Sequence, residues 1–135
     1  MATKIFVNLP VKDLKKAMEF FGRLDFSFNP QFSDETGACM VVGEDIFVML
    51  LTHKKFKAFT PNEICDASKS TEVLVALSTE SRERVDDLVR RAVAAGGTTY
   101  NKPKDYGFMY GHGFQDLDGH IWETFYMNPT SVGAS

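Results

Sequence analysis

One pattern of elements occurs twice in this chain, and that repetition restricts the fold more than any other feature of the sequence. Residues 3–9 (TKIFVNL) are rich in Ile, Phe and Val and read as a strand, which Pro10 is expected to end because it cannot donate to a ladder. From Asp13 to Leu24 the apolar residues Leu14, Ala17, Met18, Phe21 and Leu24 recur at three- and four-residue steps, the stripe of an amphipathic helix. Residues 26–32, 37–42 and 45–52 then read as three strands, the last (DIFVMLLT) apolar on both faces. After a polar stretch at 54–70 the same order returns. Residues 71–78 (TEVLVALS) form a strand, and Thr79 or Ser81 can cap a helix with the stripe Val85, Leu88, Val89, Ala92 and Val93. Gly96-Gly97 ends that helix, and strands fit 98–102, 108–115 and 120–127, with Asp118-Gly119 suited to the last turn.

The two copies align. Val7-Asn8-Leu9 lies over Val75-Ala76-Leu77 at an offset of 68 (75 − 7), and Ala17, Phe20, Phe21 and Leu24 lie over Val85, Leu88, Val89 and Ala92 at the same offset. A length of 135 residues suits one domain built from both copies: module one at about 1–53, a linker at about 54–70, module two at about 71–128, and a flexible tail at 129–135.

Composition excludes several classes of function. Fifteen Lys plus Arg against eighteen Asp plus Glu give a net charge of −3, so no global positive field favours a phosphate backbone, and nucleic acid is not an expected partner. The basic run His53-Lys54-Lys55-Phe56-Lys57 reads as a solvated loop. No window approaches the roughly 20 apolar residues of a membrane helix. The start of the chain lacks the apolar core of a secretion signal, so a soluble, cytoplasmic protein is expected. Cys39 and Cys65 show no metal-type spacing and read as free thiols.

Two stretches resemble a known family. Val7-Asn8-Leu9-Pro10-Val11-Lys12-Asp13-Leu14, continuing to Phe20-Phe21, is similar to the strand, Asp-Leu and aromatic helix of the vicinal-oxygen-chelate superfamily. Phe114-Gln115-Asp116-Leu117-Asp118-Gly119-His120-Ile121-Trp122-Glu123 resembles its Asp-Pro-Asp-Gly turn and Glu-bearing last strand, with Leu117 where Pro is usual. That superfamily groups glyoxalases, extradiol dioxygenases, fosfomycin-resistance enzymes and bleomycin-binding proteins. The resemblance implies an α+β fold in which two tandem β-α-β-β-β modules form a U-shaped, incomplete eight-stranded barrel with the helices outside.

Metal-dependent members ligate Zn, Ni, Fe or Mn through His, Gln or Glu on the first and last strands of each module. Carried over by position, those places hold Phe6, Met49, Leu74 and Glu123 here, and only Glu123 can ligate. The resemblance thus implies a ligand cleft without its metal site, so no cofactor is expected. Strand alternation around those four positions adds Asn8, Phe47, Leu51, His53, Glu72, Ala76, Ile121 and Phe125 as ligand-binding candidates. Tyr110 joins them from an aromatic rim at Tyr106, Phe108 and Met109, carried on Gly107, Gly111 and Gly113. Glu123 is the candidate catalytic residue, as general acid or base or as an anchor for a polar ligand group.

A mostly apolar lining with few polar anchors points to a small apolar or aromatic metabolite or xenobiotic as the ligand. The alternative is a metal-dependent lyase, isomerase or dioxygenase with ligands at Glu72, His53 or His112. A third reading is an interaction module whose interior is simply filled core. A homodimer is expected, because relatives commonly complete their clefts across a two-fold axis.

Overall fold

The computed structural model describes residues 3–129, so the expected tail lies, apart from Pro129, outside the described residues. The chain divides into two compact units, Met1–Cys65 and Asp66–Ser135, and the boundary falls within the stretch expected to be a linker.

In the first unit, strand β1 (Ile5–Val11) leads to helix α1 (Leu14–Gly22), strands β2 (Ser27–Asp34), β3 (Gly37–Gly43) and β4 (Ile46–Thr52), and a short helix α2 (His53–Lys57). The sheet order is β1-β4-β3-β2, with β1 parallel to β4 and the other pairs antiparallel. The strand runs through Pro10 instead of stopping there. As an edge strand, β1 pairs only with β4, so a missing N–H on its free side breaks no ladder. Asp13 caps α1 by accepting from the Lys16 N–H at 3.1 Å. Ala17, Phe20, Phe21 and Leu24 are buried with Leu9, Val11, Val48 and Leu50. Each of the larger side chains contributes about 1.5–3 kcal/mol through removal from water.

The second unit repeats this order with β5 (Leu74–Ser78), α3 (Arg82–Ala94), β6 (Lys104–Asp105), β7 (Met109–Gln115) and β8 (Ile121–Met127). Its sheet order, β5-β8-β7-β6, matches the first, and β5 is parallel to β8. Ser81, not Thr79, caps α3 and accepts from the Arg84 N–H at 3.0 Å. Val85, Leu88, Val89 and Ala92 are buried along it. Neither sheet closes on itself, and the tandem β-α-β-β-β arrangement is that of the α+β fold the sequence implies.

Residues 98–102 are not a strand. Only Thr98 forms a bridge, to Gln115, and the ladder begins at Lys104 just beyond Pro103. The β7–β8 turn is organised by Asp116, whose carboxylate accepts from the N–H groups of Asp118 (2.9 Å) and His120 (3.0 Å) and from the Trp122 indole N–H (3.0 Å). Gly119 occupies this turn at φ +91°, and a Cβ there would lie 2.8 Å from the Ser68 backbone nitrogen. Among the described residues no helix is long and apolar enough to cross a membrane.

Candidate functional site

The strand ladders put the proposed duplication on a residue-by-residue footing. In β1 and β4, Phe6 pairs with Phe47, Asn8 with Met49 and Pro10 with Leu51; in β5 and β8, Leu74 pairs with Ile121, Ala76 with Glu123 and Ser78 with Phe125. Each second-unit pair is the first-unit pair shifted by 68 on one strand and 74 on the other (74 − 6 and 121 − 47). The 74 offset also holds for β3 and β7, where Cys39 opposite Met49 becomes Gly113 opposite Glu123. Paired residues share a face of the sheet, so Phe6, Asn8, Phe47, Met49 and Leu51 lie on one face of the first sheet. Leu74, Ala76, Ile121, Glu123 and Phe125 lie on the equivalent face of the second.

The opposite faces carry the helices. In the second unit Val75, Leu77, Trp122, Thr124 and Phe114 occupy that side, where the Phe114 and Trp122 rings stack at 6.2 Å. The faces that hold the candidates are consequently the ones the helices leave open. On the first, the Phe6 and Phe47 rings stack at 4.8 Å, and Phe6 remains 45% exposed. The Asn8 amide donates to the Phe6 carbonyl at 3.0 Å. Leu51 shares the face but is only 2% exposed and covers Gly37, so it is floor rather than contact surface.

Strand β2 shapes a pocket against this face. Pro30 cannot donate, and pairing with β3 is interrupted between Asn29 and Asp34. The Ser33 hydroxyl bridges the interruption, donating to the Asn29 carbonyl at 2.7 Å and accepting from the Cys39 N–H at 2.9 Å. Gln31, Phe32, Ser33 and Asp34 thereby line an open pocket of about 540 Å³ together with Phe6 and Met49. Asp34 accepts from the Thr36 hydroxyl (2.7 Å), the Thr36 N–H (2.8 Å) and the Gly37 N–H (3.2 Å). Those hydrogen bonds, the Thr36 hydroxyl first, hold its carboxyl below the ordinary aspartate value.

On the second sheet Glu123 is half-buried between Ile121 and Phe125, and its neighbour across the ladder is Gly113. A Cβ at Gly113 would lie 2.1 Å from the Tyr100 hydroxyl oxygen and 2.9 Å from Glu123 Oε2, so both polar groups occupy the space that this glycine leaves. Burial, then the hydrogen bond and negative charge of Glu123, push the Tyr100 phenol above its ordinary value.

Three candidates do not join these faces. His53 begins α2 instead of extending β4, because the Thr52 hydroxyl accepts from the Lys55 N–H at 3.3 Å and starts a helical turn. Glu72 precedes β5 and has no place in its ladder. Tyr110 lies on the helix side of β7, one residue out of step with Gly111 and Gly113, and its hydroxyl donates to Asp86 of α3 at 2.6 Å. That hydrogen bond is the main reason its phenol is pushed up to about 12. The aromatic rim is the β6–β7 turn, with Gly107 at φ +83° and the Tyr106 N–H donating to the Met109 carbonyl at 2.8 Å.

The residues present do not fit a catalytic divalent ion. Phe6, Met49 and Leu74 offer no hard donor at the positions the superfamily uses, and Glu123 is paired with Tyr100. His112 cannot complete a set with Glu123, since it lies on the other face of β7 with Nε2 2.9 Å from the Asn101 carbonyl oxygen and 3.0 Å from the Thr99 hydroxyl. Among the described residues no group of three or more His, Cys, Asp or Glu side chains is placed to hold a metal ion.

Comparison with known proteins agrees with this architecture. The Glyoxalase/Bleomycin resistance protein/Dioxygenase superfamily matches residues 5–124, and the chain belongs to that superfamily. A hypothetical protein from S. aureus superposes with a TM-score of 0.78 at 30% identity, covering 93% of this chain and 95% of its own. A family enzyme from Burkholderia phytofirmans PsJN superposes with a TM-score of 0.77 at 17% identity, covering 93% and 99%. A glyoxalase-related enzyme from Fulvimarina pelagi gives a TM-score of 0.77 at 19% identity, covering 93% and 88%. At those two identities the likeness is one of fold. No curated protein sequence matches the chain.

Proposed function

We propose that this protein binds a small apolar or aromatic metabolite or xenobiotic on the open faces of its sheets, without a bound metal. The observation that carries this reading is the pocket formed by the β2 interruption, where Phe6, whose ring stacks on Phe47, meets Phe32 and Met49 beside Gln31, Ser33 and Asp34. An apolar surface with a few convergent polar groups suits a flat organic molecule. The donor set at the superfamily's metal positions supports chemistry or binding that depends on the chain's own groups, with Glu123 as the anchor or acid–base residue. The protein acts in the cytoplasm as a homodimer.

Elemental analysis of the purified protein, followed by melting curves with Zn, Ni, Mn and Fe(II) and with a panel of aromatic compounds, tests the reading. A ligand that binds the native state raises the melting temperature by mass action, so aromatic compounds should raise it and the metals should not. Stoichiometric metal and a chelator-sensitive melting temperature would favour the metal-dependent alternative. Light scattering should give a mass near 30 kDa, twice the 15.1 kDa of one chain; a mass of one chain at micromolar concentration would contradict the dimer.

A further inference from the structure

Among the equivalent positions of the two open faces, Cys39 of the first unit becomes Gly113 of the second. Cys39 is fully buried, whereas the missing side chain at Gly113 admits the Tyr100 phenol beside the Glu123 carboxylate. We propose that Tyr100 is a specificity-determining residue: it fixes Glu123 as a hydrogen-bond acceptor for a small aromatic or apolar ligand carrying an N–H or O–H donor. This inference rests on the reading of the open faces as ligand-binding surface.

The segment around Tyr100 is held on both sides. Thr98 exchanges two backbone hydrogen bonds with Gln115 (3.1 and 2.7 Å), and the Thr99 hydroxyl donates to the Gly113 carbonyl at 2.8 Å. His112 Nε2 lies 2.9 Å from the Asn101 carbonyl oxygen beyond it. The phenol is therefore delivered by a tethered backbone, and its position over Gly113 does not depend on a bound ligand. A carboxylate has about four lone-pair sites, and one phenol satisfies only one of them. The remaining sites sit on a face bounded by Ile121, Phe125 and Leu74, where an apolar body can pack and a polar hydrogen can point at Glu123. Gly111, opposite Phe125, keeps the neighbouring floor bare of side chain. An acceptor beside hydrocarbon discriminates by what the ligand donates, because an analogue without the donor leaves the carboxylate's remaining lone pairs desolvated and unsatisfied.

Three aromatic probes of similar shape test this: benzylamine as its ammonium form, benzyl alcohol and toluene, titrated into isotope-labelled protein while the amide signals of Gly111, Gly113 and Glu123 are followed. The wild type should bind the two donor probes more tightly than toluene, by about tenfold or more for the ammonium. Tyr100→Phe should lose most of that preference while toluene affinity stays put, and Glu123→Gln should lose the preference for the ammonium. Ultraviolet titration of the phenols reads the Tyr100–Glu123 contact separately from ligand preference. Of the two late-titrating phenols, Tyr110 and Tyr100, the step of Tyr100 should vanish in Tyr100→Phe and move to lower pH in Glu123→Gln, while that of Tyr110 stays. If all three probes bind equally to the wild type and to Tyr100→Phe, the inference fails while the binding reading stands. If no probe perturbs these signals or those of Phe6 and Met49, both fail.

Discussion

The two units share a backbone plan and part company in chemistry, and the place where they diverge is narrow. From Leu24 to Gly37 the first unit has 12 intervening residues, 25–36; from Ala92 to Gly111 the second has 18, 93–110. The difference of six accounts for the change of offset from 68 to 74. In the first unit this segment contains all of β2, whose interruption makes a pocket lined by Phe6 and Phe32. In the second it shrinks the outer strand to Lys104–Asp105 and carries Tyr100 to Glu123 instead. Duplicated ladders hold their register because a shift by one residue would turn every apolar side chain to the wrong face. The connecting segment bears no such constraint, and there the two copies differ.

The largest expected effects test the shared plan. Phe20 and Leu88 are equivalent at the 68 offset and both buried. Phe20→Ala should cost about 3–5 kcal/mol and Leu88→Ala about 2–5 kcal/mol in urea unfolding. A loss under about 1 kcal/mol at either site would break the equivalence. Next come substitutions in the second unit's turn. Gly119→Ala meets both an unfavourable φ and the Ser68 backbone, so it should destabilise by more than about 1 kcal/mol. Asp116→Asn places an amide where three N–H donors converge and should cost about 1–3 kcal/mol. Neither change should alter the Phe6 pocket, which amide spectra of the first unit can check.

The smallest effect is electrostatic and compares Asp34 with Asp105, one in each unit. The Thr36 hydroxyl holds the first below 3.8, and the second is lowered by hydrogen bonds from Arg82 and then the Gly107 N–H. A carboxyl depressed in the folded state adds stability above its unfolded value, and that increment is lost as pH falls through the folded value. Stability should therefore decline below pH 3.8, and Asp34→Asn or Asp105→Asn should each flatten part of the decline. Both groups are exposed, so each share is small.

Periodicity made the repeated order and the helix stripes legible, because each is a local pattern that packing then enforced; the places of Phe6, Met49, Leu74 and Glu123 came from the family resemblance, with the repeat supporting their register. What it missed depended on partners distant in sequence. Pro10 reads as a strand end unless β1 is known to be an edge. A strand fits residues 98–102 in the order of elements, yet Thr98 alone pairs and the rest delivers Tyr100. The aromatic rim drew Tyr110 to the open face, although counting in twos from Gly113 places Gly111 and Met109 there and Tyr110 behind. Asp116 gave no sign that it would be buried, since its donors are assembled only when the turn closes.

The central claim is that the open face of the first sheet binds an aromatic ligand without a metal. Isothermal titration of the strongest binder from the melting panel into protein held in excess chelator, wild type beside Phe6→Ala, tests it most directly. The account predicts unchanged affinity in chelator and a loss of about tenfold or more, roughly 1.4 kcal/mol, in Phe6→Ala. Affinity abolished by chelator and restored by a divalent ion, or unaffected by Phe6→Ala, would contradict it.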